Sequence, residues 1–116
     1  MRREIVAKIA SLEGVIWCAI TTNEGFIEEV AGAPAKFLES TASLLPSMLE
    51  SVATVLANVN LGEPTTVTII GEDGILAISS VNEHFALVSQ LDDGANLGLI
   101  RRLMNEGTSH LRPLMS

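Results

Sequence analysis

The sequence predicts a single α/β (α+β) domain over residues 1–116, a three-layer sandwich in which helices cover both faces of a five-stranded antiparallel sheet. Segments of helical and of strand periodicity follow one another in the order α-β-β-α-β-β-β-α. The turns between the last three strands are too short for parallel crossovers, which need about a dozen residues. Three strands carry apolar residues on both alternating faces, and such strands need cover from both sides.

The first three predicted elements are a helix and a β-hairpin. Apolar residues at helical spacing predict a helix over residues 4–13. The run Val15 to Thr22 is rich in β-branched residues and predicts a strand, and Asn23-Glu24-Gly25 is a turn sequence. A second strand is then predicted from Phe26 to Ala31. Its acidic pair Glu28-Glu29 indicates a sheet edge, where charges prevent unwanted pairing.

A long middle helix is predicted from about Pro34 to Asn60. Pro46 lies inside it and predicts a kink or a break, because proline removes a backbone hydrogen bond. The apolar surface of this helix is wider than the stripe that covers a sheet. Exposing it would cost roughly 1.5–3 kcal/mol for each large side chain. The following strand, Thr65 to Ile70, carries no charge or proline, so self-association through this helix and edge is predicted, with a monomer as the alternative.

Two further strands and a helix complete the chain. The strands are predicted over Ile75 to Val81 and His84 to Leu91. A final helix is predicted from Ala95 to about His110, preceded by acids that suit its N-terminal dipole. Residues 110–116 are predicted to form a loose tail.

The composition excludes several classes of protein. Hydrophobic residues make up 47% of the chain, which predicts a folded domain, but no apolar stretch approaches the ~18 residues that span a bilayer. The chain has 14 acidic and seven basic residues, a formal charge of −7. Nucleic-acid binding leaves a basic footprint, so no nucleic-acid partner is predicted. With no signal-peptide core at its start, the chain is predicted to be cytoplasmic, without membrane insertion.

Residues suited to catalysis are few. Cys18 is the only cysteine and lies in an apolar run, where a thiol acts as a small hydrophobe. His84 and His110 have no metal-ligand spacing with it. Neither a dinucleotide fingerprint nor a P-loop motif is present. The sequence therefore predicts no catalytic residue, no metal site, no cofactor and no enzymatic activity.

Three local motifs, in order, resemble those of the Roadblock/dynein light chain family, especially its compact prokaryotic members. The first is the hairpin formed by Val15 to Thr22 and Asn23-Glu24-Gly25. The second is Gly71-Glu72-Asp73-Gly74 with the strand Ile75-Leu76-Ala77-Ile78. The third, at the start of the final helix, is Gly94-Ala95-Asn96-Leu97-Gly98-Leu99-Ile100-Arg101. The resemblance covers nearly the whole chain.

The resemblance implies a five-stranded sheet between helices and a dimer formed through the middle helix and the third strand, with the two sheets joined. Members of the family act as scaffolds or regulators of small Ras-like GTPases, and others belong to dynein. In the bacterial gliding-motility regulators, a homodimer binds the GTPase across its paired middle helices and promotes GTP hydrolysis. The resemblance implies that this chain is a non-catalytic homodimeric scaffold or regulator of such a GTPase, with activation, inhibition and scaffolding alone left open.

Two sets of residues carry this expectation. The partner-binding set is the polar side of the middle helix: Glu39, Ser43, Ser47, Glu50 and Thr54. The dimer-interface set is Leu45, Met48, Val52, Val55, Thr66 and Thr68. The sequence does not decide which face of the helix binds the GTPase and which contacts the second subunit. It also leaves open whether the dimer forms with a second copy or with a related chain.

The middle helix has no arginine, although GTPase activators often insert one. If the protein stimulates GTP hydrolysis, it is therefore predicted to act by rearranging the GTPase's own switch residues. The alternative function is a small-molecule-sensing or ligand-binding signalling module. It ranks lower because the inward residues of the strands offer little polar lining for a cavity.

Overall fold

The computed structural model describes residues 1–34 and 36–116, and it confirms the predicted order of helices and strands. Its elements are α1 (Arg2–Ala10), β1 (Val15–Thr22), β2 (Ile27–Gly32), α2 (Leu38–Asn58), β3 (Thr66–Gly71), β4 (Gly74–Ser80), β5 (Phe85–Leu91), α3 (Leu97–Leu111) and a final 3-10 turn (Arg112–Leu114). The strands form one antiparallel sheet in the order β2-β1-β5-β4-β3. Helix α1 begins and ends before its predicted bounds.

The sheet separates two apolar cores, as the alternating faces of β1 predicted. On one face Cys18 and Ile20 pack with Val6 of α1 and Met104 of α3. On the other face Trp17 and its neighbours pack with α2, through Leu38 and Leu45. Successive side chains of a strand point to opposite sides, so the run of buried residues in β1 supplies both cores and fixes β1 near the centre of the sheet.

Helix α2 runs unbroken through Pro46 for 21 residues, so the predicted break is wrong. A proline inside a helix costs ~3 kcal/mol. Packing holds the helix on the N-terminal side of the proline, because Leu38, Ala42 and Leu45 are buried against the sheet. The predicted start was several residues too early, and Ala35, inside the predicted helix, lies outside the described residues.

Two glycines of the first hairpin allow close backbone approaches. Gly25 has φ +88°, and a Cβ there would lie 3.0 Å from Cα of Ser43 in α2. Gly32 has φ +95°, and a Cβ there would lie 2.6 Å from the carbonyl oxygen of Ile16. Other residues rarely adopt this left-handed conformation. The hairpin can therefore pack directly on the middle helix only with glycine at its tip.

The C-terminal residues pack on the body of the protein, so the prediction of a loose tail is wrong. The Arg112 side chain donates from Nε to the carbonyl oxygen of Val81 at 2.9 Å. Asn82 donates from Nδ2 to the carbonyl oxygen of Met115 at 3.0 Å. The Met115 side chain is only 5% exposed and closes the core under α1 and α3. The burial of Met115 and the two hydrogen bonds thus outweigh the conformational entropy that the chain end loses when it is ordered.

Candidate interaction surface

The β2 edge of the sheet is charged and braced by α1. The Arg2 side chain lies 3.1 Å from a carboxylate oxygen of Glu29 and 3.6 Å from one of Glu28. Arg3 approaches Glu29 at 3.7 Å. A charged edge that carries ion pairs to a neighbouring helix is a poor template for another strand.

Among the described residues, the β3 edge has neither charged residues nor ion pairs to a helix. Strand β3 is TVTIIG in sequence, without charge or proline, and its Ile70 side chain is 69% exposed. The backbone N–H of Ser80 in the adjoining strand segment donates to the carbonyl oxygen of Thr65 at 2.9 Å. Hydrogen-bonded pairs alternate along an antiparallel ladder, so the backbone groups of Thr66, Thr68 and Ile70 point away from β4. In the described part of the chain, Oγ1 of Thr68 is buried without a hydrogen-bond partner.

Helix α2 carries a row of apolar side chains, which we call the apolar strip: Leu44, Met48, Val55 and Val59, the last directly after the helix end. Met48 is half-buried and the other three are exposed. Leu44 is 69% exposed and Val55 is 64% exposed. These two residues are eleven positions apart, about three helical turns, so they lie on the same side of the helix. An apolar row that no described residue covers is typical of a surface that contacts another protein.

The predicted dimer-interface set is only partly at the surface. Leu45 is 4% exposed and lies in the core between α2 and the sheet, so its placement at an interface is wrong. Met48 and Val52 are half-buried, as are Thr66 and Thr68 on β3, whereas Val55 is exposed. Sequence reasoning missed Leu44. The sequence could have identified Leu44. Two adjacent leucines on a helix cannot both face the sheet, and Leu44 lies on the same side of the helix as Val55.

The predicted partner-binding set lies together on the outer face of α2. All five residues are exposed and recur at spacings of three or four: Glu39, Ser43, Ser47, Glu50 and Thr54. Several hydroxyls bond to their own helix, since Ser43 donates to the carbonyl oxygen of Ser40 at 2.7 Å and Thr54 to that of Glu50 at 3.0 Å. This outer face is therefore a polar surface of short side chains.

A groove of about 680 Å³ runs along the other flank of α2, between the helix and one end of the sheet. Apolar side chains from α2, β4 and β5 line it, including Leu45, Leu49, Ile78 and Phe85. Pro46 and Ala53 form the helix wall, and Glu50, Glu63 and Glu83 stand at its margins. Of these, only Glu50 also belongs to the outer face.

The remaining reactive groups are not arranged for chemistry. Burial raises the pKa of the Cys18 thiol to about 12, so the side chain stays protonated and unreactive. His84 is exposed and lies 3.3 Å from a carboxylate oxygen of its neighbour Glu83. Within residues 1–34 and 36–116 there is no cluster of side chains that could hold a metal ion, and no helix that could cross a membrane.

Comparison with known proteins places these surfaces in context. The family model of the Roadblock/LC7 domain matches residues 1–90 of the chain. No curated protein matches the sequence significantly.

Among solved structures with the same fold is MglB from Myxococcus xanthus, which is 17% identical with a TM-score of 0.89 and covers 97% of this chain and 93% of its own. A Roadblock/LC7 domain from Streptomyces avermitilis is 14% identical with a TM-score of 0.87 and 98% coverage of both chains. The gliding protein MglB from Thermus thermophilus is 18% identical with a TM-score of 0.88, and it covers 97% of this chain and 87% of its own. At such identities the likeness shows the fold.

Proposed function

Because this chain belongs to the Roadblock/LC7 domain family, we propose that it is a non-catalytic homodimer that acts in the cytoplasm as a scaffold or regulator of a small Ras-like GTPase. The observation that carries the proposal is that no described residue, in 1–34 or 36–116, covers the β3 edge or the apolar strip of α2. A lone, unreactive thiol suits a reducing compartment.

Two uncovered features support dimerisation: the unpaired backbone groups of β3 and the exposed side chains of the apolar strip. Antiparallel pairing of β3 with β3 of a second copy would provide hydrogen-bond partners for the outward backbone groups of Thr66, Thr68 and Ile70. Contact between the two apolar strips would remove Leu44 and Val55 from water, and full burial of such a side chain is worth roughly 1.5–3 kcal/mol. Both contacts fit a two-fold axis, which places the same patch of each copy against the other.

The GTPase would bind the outer face of α2, and in the dimer two such faces lie side by side. Their short side chains let a partner backbone come close, and Glu39 and Glu50 give the surface negative charge. Helix α2 has no arginine. Arg101 and Arg102 are on α3, which packs on the opposite face of the sheet. Any activation of the GTPase would therefore work through the GTPase's own switch residues.

Calorimetric titration against a small Ras-like GTPase from the same genome tests the proposal, with the GTPase loaded in turn with a GTP analogue and with GDP. Tighter binding to the GTP form would identify a regulator and would be followed by a hydrolysis assay. Equal binding to both forms would identify a scaffold. Absence of binding to either form, with the dimer intact, would refute the proposal.

A matched pair of variants locates the binding face. Ser47→Arg puts a long charged side chain at the middle of the outer face, and Ser109→Arg makes the same change at an exposed position on α3. We expect Ser47→Arg to weaken GTPase binding about tenfold or more by steric obstruction, and Ser109→Arg to leave it unchanged. Equal effects of the two variants would contradict this placement.

A further inference from the structure

We propose that the groove beside α2 is a second docking site, which takes a short amphipathic peptide segment of a partner protein through apolar and Lys or Arg side chains. Its floor is apolar because Leu45, Leu49, Ile78 and Phe85 converge there from three elements. Its volume of about 680 Å³ is comparable to that of established ligand sites. No segment within the described part of the chain occupies this apolar floor.

The charges around the groove select the chemistry of the occupant. Glu50, Glu63 and Glu83 are exposed at its margins, and among the described residues that line it none is lysine or arginine. The whole chain carries a formal charge of −7. An acidic rim around an apolar floor favours a segment in which apolar residues alternate with basic ones, because the opposite charges steer and orient it.

The polar groups at the rim favour a peptide over a small molecule. Oδ1 of Asn82 already accepts hydrogen bonds from the backbone N–H groups of His84 and Phe85, at 2.8 and 3.0 Å. The Thr22 hydroxyl accepts from the backbone N–H groups of Glu24 and Phe26, at 3.2 and 3.1 Å. Small-molecule sites need convergent polar groups that are free to orient the ligand, and here these groups are committed to turns.

In the proposed dimer the helix wall of the groove faces away from the second copy, whereas Thr66 of β3, which also lines the groove, borders the paired edge. Pro46 on its wall and Val55 in the apolar strip are nine positions apart, which places them on opposite sides of a helix with 3.6 residues per turn. A second copy is also an unsuitable occupant. Most of its basic residues lie in the two terminal segments, which are packed in the fold, with Arg2 paired to Glu29 and Arg112 bonded to Val81. Lys36 is the single basic residue of the sequence outside them.

The test is a fluorescence-anisotropy titration of the full-length dimer with a labelled synthetic peptide that carries leucine and lysine at helical spacing. A second peptide has the same leucines and glutamate in place of lysine. Ala53→Phe fills the groove, and Ala57→Phe makes the same change one turn further along the helix, at an exposed position that does not line it. We expect the lysine peptide to bind, the glutamate peptide to fail, and Ala53→Phe alone to weaken binding about tenfold.

Charge reversals separate docking in the groove from general attraction to an acidic protein. Glu63→Lys and Glu83→Lys alter the rim, whereas Glu72→Lys makes the same change in the β3–β4 turn at the other end of the sheet. We expect the two rim variants to weaken binding about tenfold and Glu72→Lys to have little effect. The proposal is overturned if the lysine peptide does not bind, if Ala53→Phe and Ala57→Phe bind it equally, or if all three reversals act alike.

The peptide titration can fail or succeed independently of the GTPase titration, because the two ligands are proposed to bind different sides of α2. Ala53→Phe should lose the peptide and retain the GTPase, since Ala53 is half-buried on the groove flank and not on the outer face. If Ala53→Phe loses both ligands while the dimer persists, the groove is part of the GTPase site and the proposal of a second site is wrong.

Discussion

Strands β2 and β3 are both six residues long and both end the sheet, yet they differ in charge and in the cover of their outer side. Strand β2 carries Glu28 and Glu29, and both are held by Arg2 of α1. Strand β3 has no charge, and nothing in the described chain covers its outer side. A sheet has to manage its free edges, so one protected edge and one bare edge support the proposal that the bare edge pairs with a second copy. Four sets of variants test this contrast.

The largest effect is expected from proline on the bare edge. In Thr68→Pro the lost N–H points away from β4, so the monomer keeps its own ladder while pairing with a second copy is blocked. We expect the dimer to weaken at least about 100-fold, or about 2.7 kcal/mol, as measured by sedimentation. Val30→Pro is the matched control, because the hydrogen bond from Ala33 to Ile16 shows that the Val30 N–H also points outward, on β2. A dimer that survives Thr68→Pro would show that β3 is not the interface.

A smaller loss is expected from charge in the apolar strip. Val55→Glu places a carboxylate where two strips would meet, and we expect the dimer to weaken about tenfold, or about 1.4 kcal/mol. Ala57→Glu adds the same charge to an exposed position off the strip and should leave the dimer unchanged. The melting temperature of the isolated subunit should not change in either variant. Equal sedimentation of the two variants would exclude the strip from the interface.

Removing the charges of the protected edge should make it resemble β3. The double variant Glu28→Thr, Glu29→Thr leaves β2 with uncharged residues of high strand propensity. We expect weak association beyond the dimer, visible by light scattering only at high protein concentration, because β2 lacks a neighbouring apolar strip. Adding Val30→Pro to this variant should restore the dimer. If the double variant is no more associated than the wild type, edge charge does not protect β2.

The smallest effect is expected from the ion pair itself. The Arg2 side chain is 42% exposed, so water screens the charges, and surface ion pairs are worth about 0–1 kcal/mol. We expect Arg2→Ala to lower the free energy of unfolding by about 0.5 kcal/mol in urea titrations, with a smaller loss at high salt. Arg101→Ala, on the exposed side of α3, should change it less. A loss well above 1 kcal/mol would mean that α1 detaches from β2.

The sequence predicts the fold well because local patterns decide most of it. Strand β1 shows why, since its apolar residues on both faces required two covered sides, and each core in the structure contains part of it. Glu28-Glu29 identified the edge strand correctly. Patterns of this kind depend on periods of two and 3.6 residues, which a single sequence displays directly.

Features that depend on distant contacts were predicted less well. Met115 meets the core, and Arg112 reaches a carbonyl group 31 positions earlier in the chain, which no local pattern reports. Pro46 was expected to kink or break α2, but the helix continues through it, because packing against the sheet holds its N-terminal part. The groove draws its lining from four strands, α2 and three connecting segments, so only the folded chain reveals it.

The central pairing of the sheet also determines when the protein can fold. Strand β1 lies beside β5, with Cys18 opposite Ser89, although most of the chain separates them. Pairings between distant segments slow folding, because a large loop must close before any contact forms. During synthesis the first hairpin therefore waits, with one side of β1 unpaired, until β5 has left the ribosome. A chain that stops short of Leu91 would lack the partner of the buried strand β1, and it would be a substrate for chaperones and proteases rather than a smaller version of the domain.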